Sequence, residues 1–220
     1  MPEIKACLFD LDGVIVDTAR YHYRAWKKLA NDIGFDITEE DNELLKGVSR
    51  MRSLEIILEI GRVELDQKTK IKLAEMKNLR YIEDISLMDK TEILPGVESF
   101  IQELKSEGIK VGLGSASKNS TMILEKINML HYSDCIVDGN KIANAKPDPE
   151  VFLLGAKELN TKAENCAVFE DAIAGIDAAI NAGMVCVGIG SEKNLQHANI
   201  IIPSFEGISW QTIKEKLQSL

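Results

Sequence analysis

The sequence predicts a doubly wound, mostly parallel α/β sheet core that carries an inserted all-helical cap. Two patterns support this prediction. Short runs that are apolar nearly throughout recur along the chain, as is typical of parallel strands covered on both faces. Helical periodicity fills the segments between these runs, and strands that alternate with helices indicate a doubly wound, Rossmann-like sheet.

The expected sheet contains six strands with helices between them. The strands are expected at residues 6–11, 111–115, 135–138, 166–170, 185–189 and 200–202. The helices of the core are expected at residues 97–107, 119–129, 149–159, 172–182 and 210–217. Gly108 and Gly183 are expected to end two of these helices, because glycine tolerates the left-handed conformation found after a helix.

Residues 15–90 form the expected cap, because they show helical periodicity without a strand pattern. Tyr21, Trp26 and Leu29, for example, can share one helix face. The chain re-enters the sheet at residues 94–97, where proline and glycine form a turn before a helix. The sequence therefore predicts a core domain from residues 1–14 and 91–220, and a cap domain from residues 15–90.

Composition excludes several classes of protein. The net charge of the 220 residues is −9, from 26 basic and 35 acidic side chains, which argues against a nucleic-acid partner. No apolar run approaches the roughly 20 residues that a membrane helix needs, and residues 1–5 lack the order of a signal peptide. The four cysteines include no CxxC pair, so buried reduced thiols are expected. We expect a cytoplasmic monomer without a membrane partner.

Two acidic side chains, Asp10 and Asp12, lie at the end of the first expected strand. Open parallel sheets bind ligands beyond the carboxyl ends of their strands, so polar residues at these ends are candidate site residues. Residues two apart in an extended chain point the same way, which directs both carboxylates to one place. Their repulsion calls for a cation or a shared proton. Taken alone, the Asp-Leu-Asp-Gly sequence is also consistent with an acidic turn.

Three later segments offer complementary side chains. Ser115 ends the second expected strand with a hydroxyl, and the amides after it can form an anion site where a helix begins. Lys146 precedes a rigid Pro-Asp-Pro turn that can direct its charge to a phosphate. The fourth expected strand closes with Glu170 and Asp171. Each feature alone also fits a helix cap or a solvated side chain, but together they favour a magnesium and phosphate site.

These four motifs, in this order, resemble the signature of the haloacid dehalogenase (HAD) superfamily, and the resemblance covers essentially the whole chain. Within the superfamily, the chain is most similar to the β-phosphoglucomutase family. The closer similarity rests on residues 9–18, 21–26, 45–50, 77–78 and 115–119. Sugar-phosphate phosphatases share the core motifs, so they stay an alternative.

The resemblance implies a role for each core residue. Asp10 is the expected nucleophile and a magnesium ligand. Asp12 is the expected general acid and base, and its backbone carbonyl is a further expected ligand. The metal site would be completed by Glu170 and Asp171. The transferring phosphoryl group would be held by Ser115 and Lys146.

The resemblance also implies which residues bind the rest of the substrate. Arg50 in the cap would bind the distal phosphate of the sugar. Core-side contacts at this end of the substrate would come from Ala116, Ser117, Lys118 and Asn119. The sugar pocket would be lined by Trp26, Gly47, Val48 and Ser53. Asp12 would be placed, when the cap closes, by Thr18, His22 and Lys77.

The implied reaction interconverts β-D-glucose 1-phosphate and glucose 6-phosphate. Asp10 would carry the phosphoryl group, and β-glucose 1,6-bisphosphate would be the intermediate and activator. A phosphatase acting on sugar phosphates is the alternative, and a non-catalytic phosphate acceptor or binding protein is a more distant one. Arg52 departs from the family pattern next to Arg50, and exposure to solvent is expected for it.

Overall fold

One parallel sheet organises the chain, which a computed structural model describes over residues 3–219. Within that range the sheet has six strands, namely β1 (Ala6–Phe9), β2 (Lys110–Gly114), β3 (Cys135–Val137), β4 (Cys166–Glu170), β5 (Val185–Ile189) and β6 (Ile200–Ile202). Their order across the sheet is β3-β2-β1-β4-β5-β6, and every neighbouring pair is parallel. The predicted doubly wound sheet is confirmed.

The α-helices fall into two groups along the chain. Between β1 and β2 lie the cap helices α1 (Ala19–Asp32), α2 (Glu39–Glu43), α3 (Arg50–Gly61) and α4 (Gln67–Ile85). The helices that accompany the sheet are α5 (Val97–Ser106), α6 (Ser120–Lys126), α7 (Glu150–Glu158), α8 (Ile173–Asn181) and α9 (Trp210–Gln218). Among residues 3–219, no helix combines the length and apolarity needed to cross a membrane.

The ends of several elements differ from the sequence-based expectation. Strand β1 ends at Phe9 rather than at residue 11, so the two aspartates lie in the turn that follows it. Helix α6 ends at Lys126, earlier than expected, and Asn128 beyond it has a left-handed φ of 58°. Gly108 and Gly183 have φ values of 73° and 71° and follow α5 and α8, as predicted.

Aromatic packing supports the register between the two central strands, β1 and β4. Phe9 and Phe169 are register partners in β1 and β4, and their rings stack with centres 4.6 Å apart. Phe100 of α5 meets Phe169 edge-on at 5.3 Å, and Phe205 packs against the same rings. Because Phe9 and Phe169 are register partners, the residues that follow them, including Glu170, lie next to one another at the same edge of the sheet.

The cap has an apolar core of its own. Trp26 and Leu29 of α1 pack with Leu54 and Ile57 of α3, and this cluster is distinct from the two clusters on the faces of the sheet. An all-helical cap inserted after β1 is therefore confirmed. The division into domains at residues 14/15 and 90/91 stays a prediction.

The aromatic cluster predicts a large effect of truncating Phe100. We expect Phe100→Ala to lower the free energy of unfolding by about 3–5 kcal/mol, because a fully buried ring is replaced by a cavity. Urea denaturation measures this change. Leu87→Ala is the control, because Leu87 is 84% exposed and its truncation should change stability by less than about 0.5 kcal/mol. Equal changes in stability for the two substitutions would show that the packing of Phe100 does not stabilise the fold.

Candidate active site

A cleft of about 950 Å³ lies between the carboxyl edge of the sheet and the cap. Most of the expected site residues line it. These are Asp10, Asp12, Thr18, His22, Trp26, Gly47, Val48, Arg50, Ser53, Lys77, Ser115, Ala116, Ser117, Lys118, Asn119 and Asp171. Lys146 and Glu170 do not line the cleft, because they are buried beneath its floor.

Lys146 ties together two carboxylates at the floor of the cleft. Its ammonium donates to Asp10 Oδ1 and to Glu170 Oε1, each at 2.6 Å. Burial alone would lower the pKa of Lys146, but these two carboxylates raise it above its usual value. The lysine is therefore a permanent positive charge beside the expected nucleophile, while the other oxygen of Asp10 accepts from the Asp12 backbone amide at 3.1 Å.

Three carboxylates at this position fit a hard divalent cation. Asp10, Glu170 and Asp171 each offer an oxygen, and these atoms lie within 4.8 Å of one another. Burial, followed by the charges of Glu170 and Asp10, raises the pKa of Asp171 well above its usual value. Such crowding of buried acids is relieved by a cation, and oxygen ligands in this number suit Mg²⁺, which keeps several of its waters.

Two glycines make room for these acids, and the sequence reasoning missed both. A Cβ at Gly13, whose φ is 80°, would lie 2.1 Å from an oxygen of Asp171. A Cβ at Gly175 in α8 would lie 1.7 Å from Glu170 Oε1. Gly13 belongs to the Asp-Leu-Asp-Gly motif and Gly175 lies four residues after Asp171, but only three-dimensional contact explains them.

Asp12 occupies a different environment from Asp10. Thr18 donates a short hydrogen bond to Asp12 Oδ1, and His22 Nε2 lies 3.9 Å from the same oxygen. Burial, together with the charge of Asp10, raises the pKa of Asp12 to about 6. A carboxyl group that titrates near neutral pH can both accept and return a proton.

Lys77 is enclosed in the cap next to Asp12. Its ammonium lies 4.5 Å and 4.6 Å from the ring centres of Trp26 and Tyr81 and 2.9 Å from His22 Nδ1. Burial and the nearby charge of Arg50 lower the pKa of Lys77 to about 7. Burial, with the charges of Lys77 and Arg50, also holds the pKa of His22 well below its usual range, which favours a neutral ring beside Lys77.

In the loop after β2, backbone amides donate hydrogen bonds to serine hydroxyl groups of the same loop. The backbone amide of Ser117 donates to Ser115 Oγ at 3.1 Å, and that of Asn119 donates to Ser117 Oγ at 3.2 Å. The side chain of Asn119 donates to Asn78 Oδ1 of the cap at 3.0 Å. This last bond links core and cap across the cleft.

The two neighbouring cap arginines differ in their surroundings. Arg50 lines the cleft, and among residues 3–219 its guanidinium has no hydrogen bond or ion pair. Arg52 instead pairs with Glu55 at 3.2 Å and with Glu59 at 3.1 Å, and its side chain is 50% exposed. The structure thus leaves Arg50 available for an anion and places Arg52 at the surface, as expected.

The turn after α2 brings residues of the cap close to Asp171 and Ala172 in the core. Lys46 Nζ lies 4.0 Å from Asp171 Oδ2, and a Cβ at Gly47 would lie 3.0 Å from the Cβ of Ala172. Lys46 was not among the expected site residues. Through Lys46, the cap therefore places a positively charged side chain beside the set of three carboxylates.

Comparison with known proteins decides the family. A family model described as haloacid dehalogenase-like hydrolase matches residues 4–183. The chain belongs to the haloacid dehalogenase-like hydrolase family. It is 39% identical to a β-phosphoglucomutase of Bacillus subtilis over 97% of this chain and 95% of the relative. It is 32% identical to a fructose-1-phosphate phosphatase of Escherichia coli over 83% and 94%, respectively.

A solved structure of a β-phosphoglucomutase from Clostridium difficile is similar over the whole fold. It matches with a TM-score of 0.94 and 46% identity, over 98% of each chain. The expected resemblance to the superfamily, and within it to β-phosphoglucomutase, is confirmed. The roles of individual residues stay predictions.

The environment of Lys77 predicts how stability depends on pH. Its pKa is about 7 in the folded protein against a usual 10.5, so between these values the unfolded chain binds more protons. The free energy of unfolding of the wild type therefore rises with pH in this window relative to Lys77→Met, which cannot titrate there. We expect any stability advantage of Lys77→Met to be largest near pH 6 and to shrink towards pH 10, as measured by urea denaturation.

Lys72→Met provides the matched comparison, because Lys72 is an exposed residue of the same helix. Its stability difference from the wild type should stay flat from pH 6 to pH 10. If the stability difference between Lys77→Met and the wild type is equally independent of pH, the pKa of Lys77 is not lowered in the folded protein.

Proposed function

We propose that this chain is a β-phosphoglucomutase that interconverts β-D-glucose 1-phosphate and glucose 6-phosphate. The observation that carries the proposal is that one cleft offers two separate places for a phosphate. One lies at Asp10, near Ser115 and Lys146, and the other at Arg50, with the loop of residues 116–119 opposite. A sugar bisphosphate has two phosphates to match them, and relatives named β-phosphoglucomutase cover almost the whole chain.

In the first half of the proposed reaction, phosphorylated Asp10 donates its phosphoryl group to the 6-hydroxyl of the sugar. The bond between phosphorus and the Asp10 oxygen breaks as the bond to the sugar oxygen forms, and Asp12 takes the hydroxyl proton. The product, β-glucose 1,6-bisphosphate, then turns within the cleft. In the second half, Asp10 attacks the 1-phosphate, and Asp12 returns its proton to the departing sugar oxygen.

The surroundings of the two aspartates suit these different roles. Asp10 is held by Lys146, which keeps an oxygen in a fixed position for attack. Asp12, with its pKa near 6, can alternate between its two protonation states at neutral pH. The carboxylates of Asp10, Glu170 and Asp171 would hold Mg²⁺, which would neutralise charge on the transferring phosphoryl group. The hydroxyl of Ser115 would add a hydrogen bond to that group.

A phosphatase acting on phosphorylated sugars is the second candidate, favoured by the similarity to the Escherichia coli phosphatase. The two activities differ in whether water or a sugar hydroxyl accepts the phosphoryl group. The contacts of Asn78 with Asn119 and of Gly47 with Ala172 close the cap on the core, which favours exclusion of water. We expect a small-molecule sugar phosphate as the partner, and the cytoplasmic monomer stays a prediction.

One assay separates the two activities. With β-glucose 1-phosphate, Mg²⁺ and a trace of β-glucose 1,6-bisphosphate, we expect glucose 6-phosphate to form without equivalent free phosphate. Both products are followed in the same reaction, and chelation of Mg²⁺ should abolish turnover. Phosphate released in proportion to the substrate consumed would instead identify a phosphatase. Activity that persists after chelation would remove the metal from the mechanism.

Substitution of each aspartate by asparagine tests the division of roles. Asp12→Asn should lower mutase turnover by about 10²–10⁴-fold, because the sugar oxygen loses its proton carrier. With p-nitrophenyl phosphate, whose leaving group needs no proton, Asp12→Asn should still release a burst of p-nitrophenolate. Asp10→Asn should give neither turnover nor burst, because no phosphoenzyme forms.

Asp177→Asn is the control for this pair, since Asp177 lies on α8 outside the cleft and pairs with His197. Its mutase turnover should equal that of the wild type. A burst from Asp10→Asn would place the nucleophile elsewhere.

A further inference from the structure

A hydrogen bond between two side chains joins cap helix α4 to the loop after β2. Asn119 Nδ2 donates to Asn78 Oδ1 at 3.0 Å, and both residues line the cleft. Both are half-buried, Asn78 in the middle of α4 and Asn119 at the point where α6 begins. Because one residue belongs to the cap and the other to the core, the bond forms only while α4 lies against the core.

Asn119 makes this bond in place of a local one. It immediately precedes α6, where the side chain of an asparagine commonly accepts a hydrogen bond from a backbone amide of the first helical turn. Here the side chain makes no such bond to its own helix. The amide of Asn119 is therefore held by the cap, although a partner of the usual kind is available beside it.

The core alone holds the backbone of the same loop. The amides of Ser117 and Asn119 donate to serine hydroxyls, Ser120 Oγ donates to Ser117 O at 3.0 Å, and Asn140 Nδ2 donates to Lys118 O at 3.0 Å. Within residues 3–219, the bond to Asn78 is the only hydrogen bond from residues 115–119 to the cap. The cap thus sets the orientation of one side chain on a loop that is otherwise already fixed.

The bond to Asn78 leaves part of the Asn119 amide for a ligand. A primary amide has two N–H donors and one carbonyl acceptor, and in residues 3–219 the Asn119 side chain uses one N–H. The second N–H belongs to a half-buried residue that lines the cleft, and an N–H group is a suitable donor to a phosphate oxygen. Fixing the first N–H also fixes the plane of the amide, and with it the direction of the second.

We propose that Asn78 is a positioning residue, which holds the side-chain amide of Asn119 in the orientation that binds the distal phosphate of the sugar substrate. This inference rests on the proposed function for the identity of that substrate. Asn78 acts through Asn119 and needs no contact with the substrate. Because Asn78 follows Lys77 in α4, the helix position that orients Asn119 also brings Lys77 near Asp12. Docking of α4 would therefore prepare both ends of the cleft together.

A double-mutant cycle tests whether Asn78 acts through Asn119. Asn78→Ala and Asn119→Ala should each lower kcat/KM for β-glucose 1-phosphate by about three- to tenfold, as expected for the loss of one hydrogen bond. The double variant should be less than about twofold worse than Asn119→Ala, because Asn78 has nothing to orient once that amide is removed. The loss should lie mainly in KM, since the distal phosphate is bound equally in substrate and transition state.

Asn31→Ala is the matched control, because Asn31 is an exposed asparagine of cap helix α1 that does not line the cleft. Its kcat/KM should equal that of the wild type. Thermal denaturation separates positioning from a structural role. Without ligand, Asn78→Ala should have a Tm within about 2 °C of the wild type, because water can replace a hydrogen bond between two half-exposed side chains.

Three results would overturn the inference. They are an unchanged kcat/KM in Asn78→Ala, losses that multiply in the double variant, and a fall in Tm of more than about 5 °C in Asn78→Ala. If the wild type does not convert β-glucose 1-phosphate to glucose 6-phosphate, the proposed function fails on that assay alone. The cycle is then read from kcat/KM for the sugar phosphate that the wild type does turn over, where multiplying losses still contradict the role of Asn78.

Discussion

The buried ion pairs of Lys146 hold the catalytic end of the cleft in place. One ammonium, with no exposed surface on its side chain, contacts carboxylates from two other segments at 2.6 Å each. Removing one partner of such a group typically costs about 3–5 kcal/mol, because it leaves a buried charge uncompensated. Asp10 and Glu170 are therefore fixed before any ligand arrives. The same pairs set the difference between the two aspartates, because Asp10 is bound to the lysine and Asp12 is not.

The sequence was sufficient for the features that depend on chain direction. Parallel strands place their carboxyl ends at one edge, so Asp10, Ser115 and Glu170 had to meet if the apolar runs were strands. The helical pattern of residues 15–90 likewise required a cap, since no strand interrupted it. The prediction was less accurate at element ends. Strand β1 stops at Phe9, because Leu11 turns back to accept backbone hydrogen bonds from residues 14–16 instead of continuing the ladder.

Features that depend on close contact between distant segments were not predictable. In the sequence, Gly13 and Gly175 look like ordinary loop and helix residues. The structure shows that a Cβ atom at Gly13 would collide with Asp171, and one at Gly175 with Glu170. The position of Lys46 is similar, because it follows from how the cap docks on the core. In each case the missing information is a distance, which one sequence does not contain.

In the proposed reaction, the choice between sugar and water depends on closure of the cap. An aspartyl-phosphate at Asp10 would be accessible to any nucleophile that enters the cleft, so the core alone would not select the acceptor. The cap adds Arg50, which lines the cleft and whose guanidinium has no hydrogen bond or ion pair among residues 3–219. A phosphate on the sugar would pair with this guanidinium and stabilise the closed state, whereas a water would bring no charge to pair with it. In the proposed reaction, selection of the acceptor would thus follow from which ligand pairs with the cap.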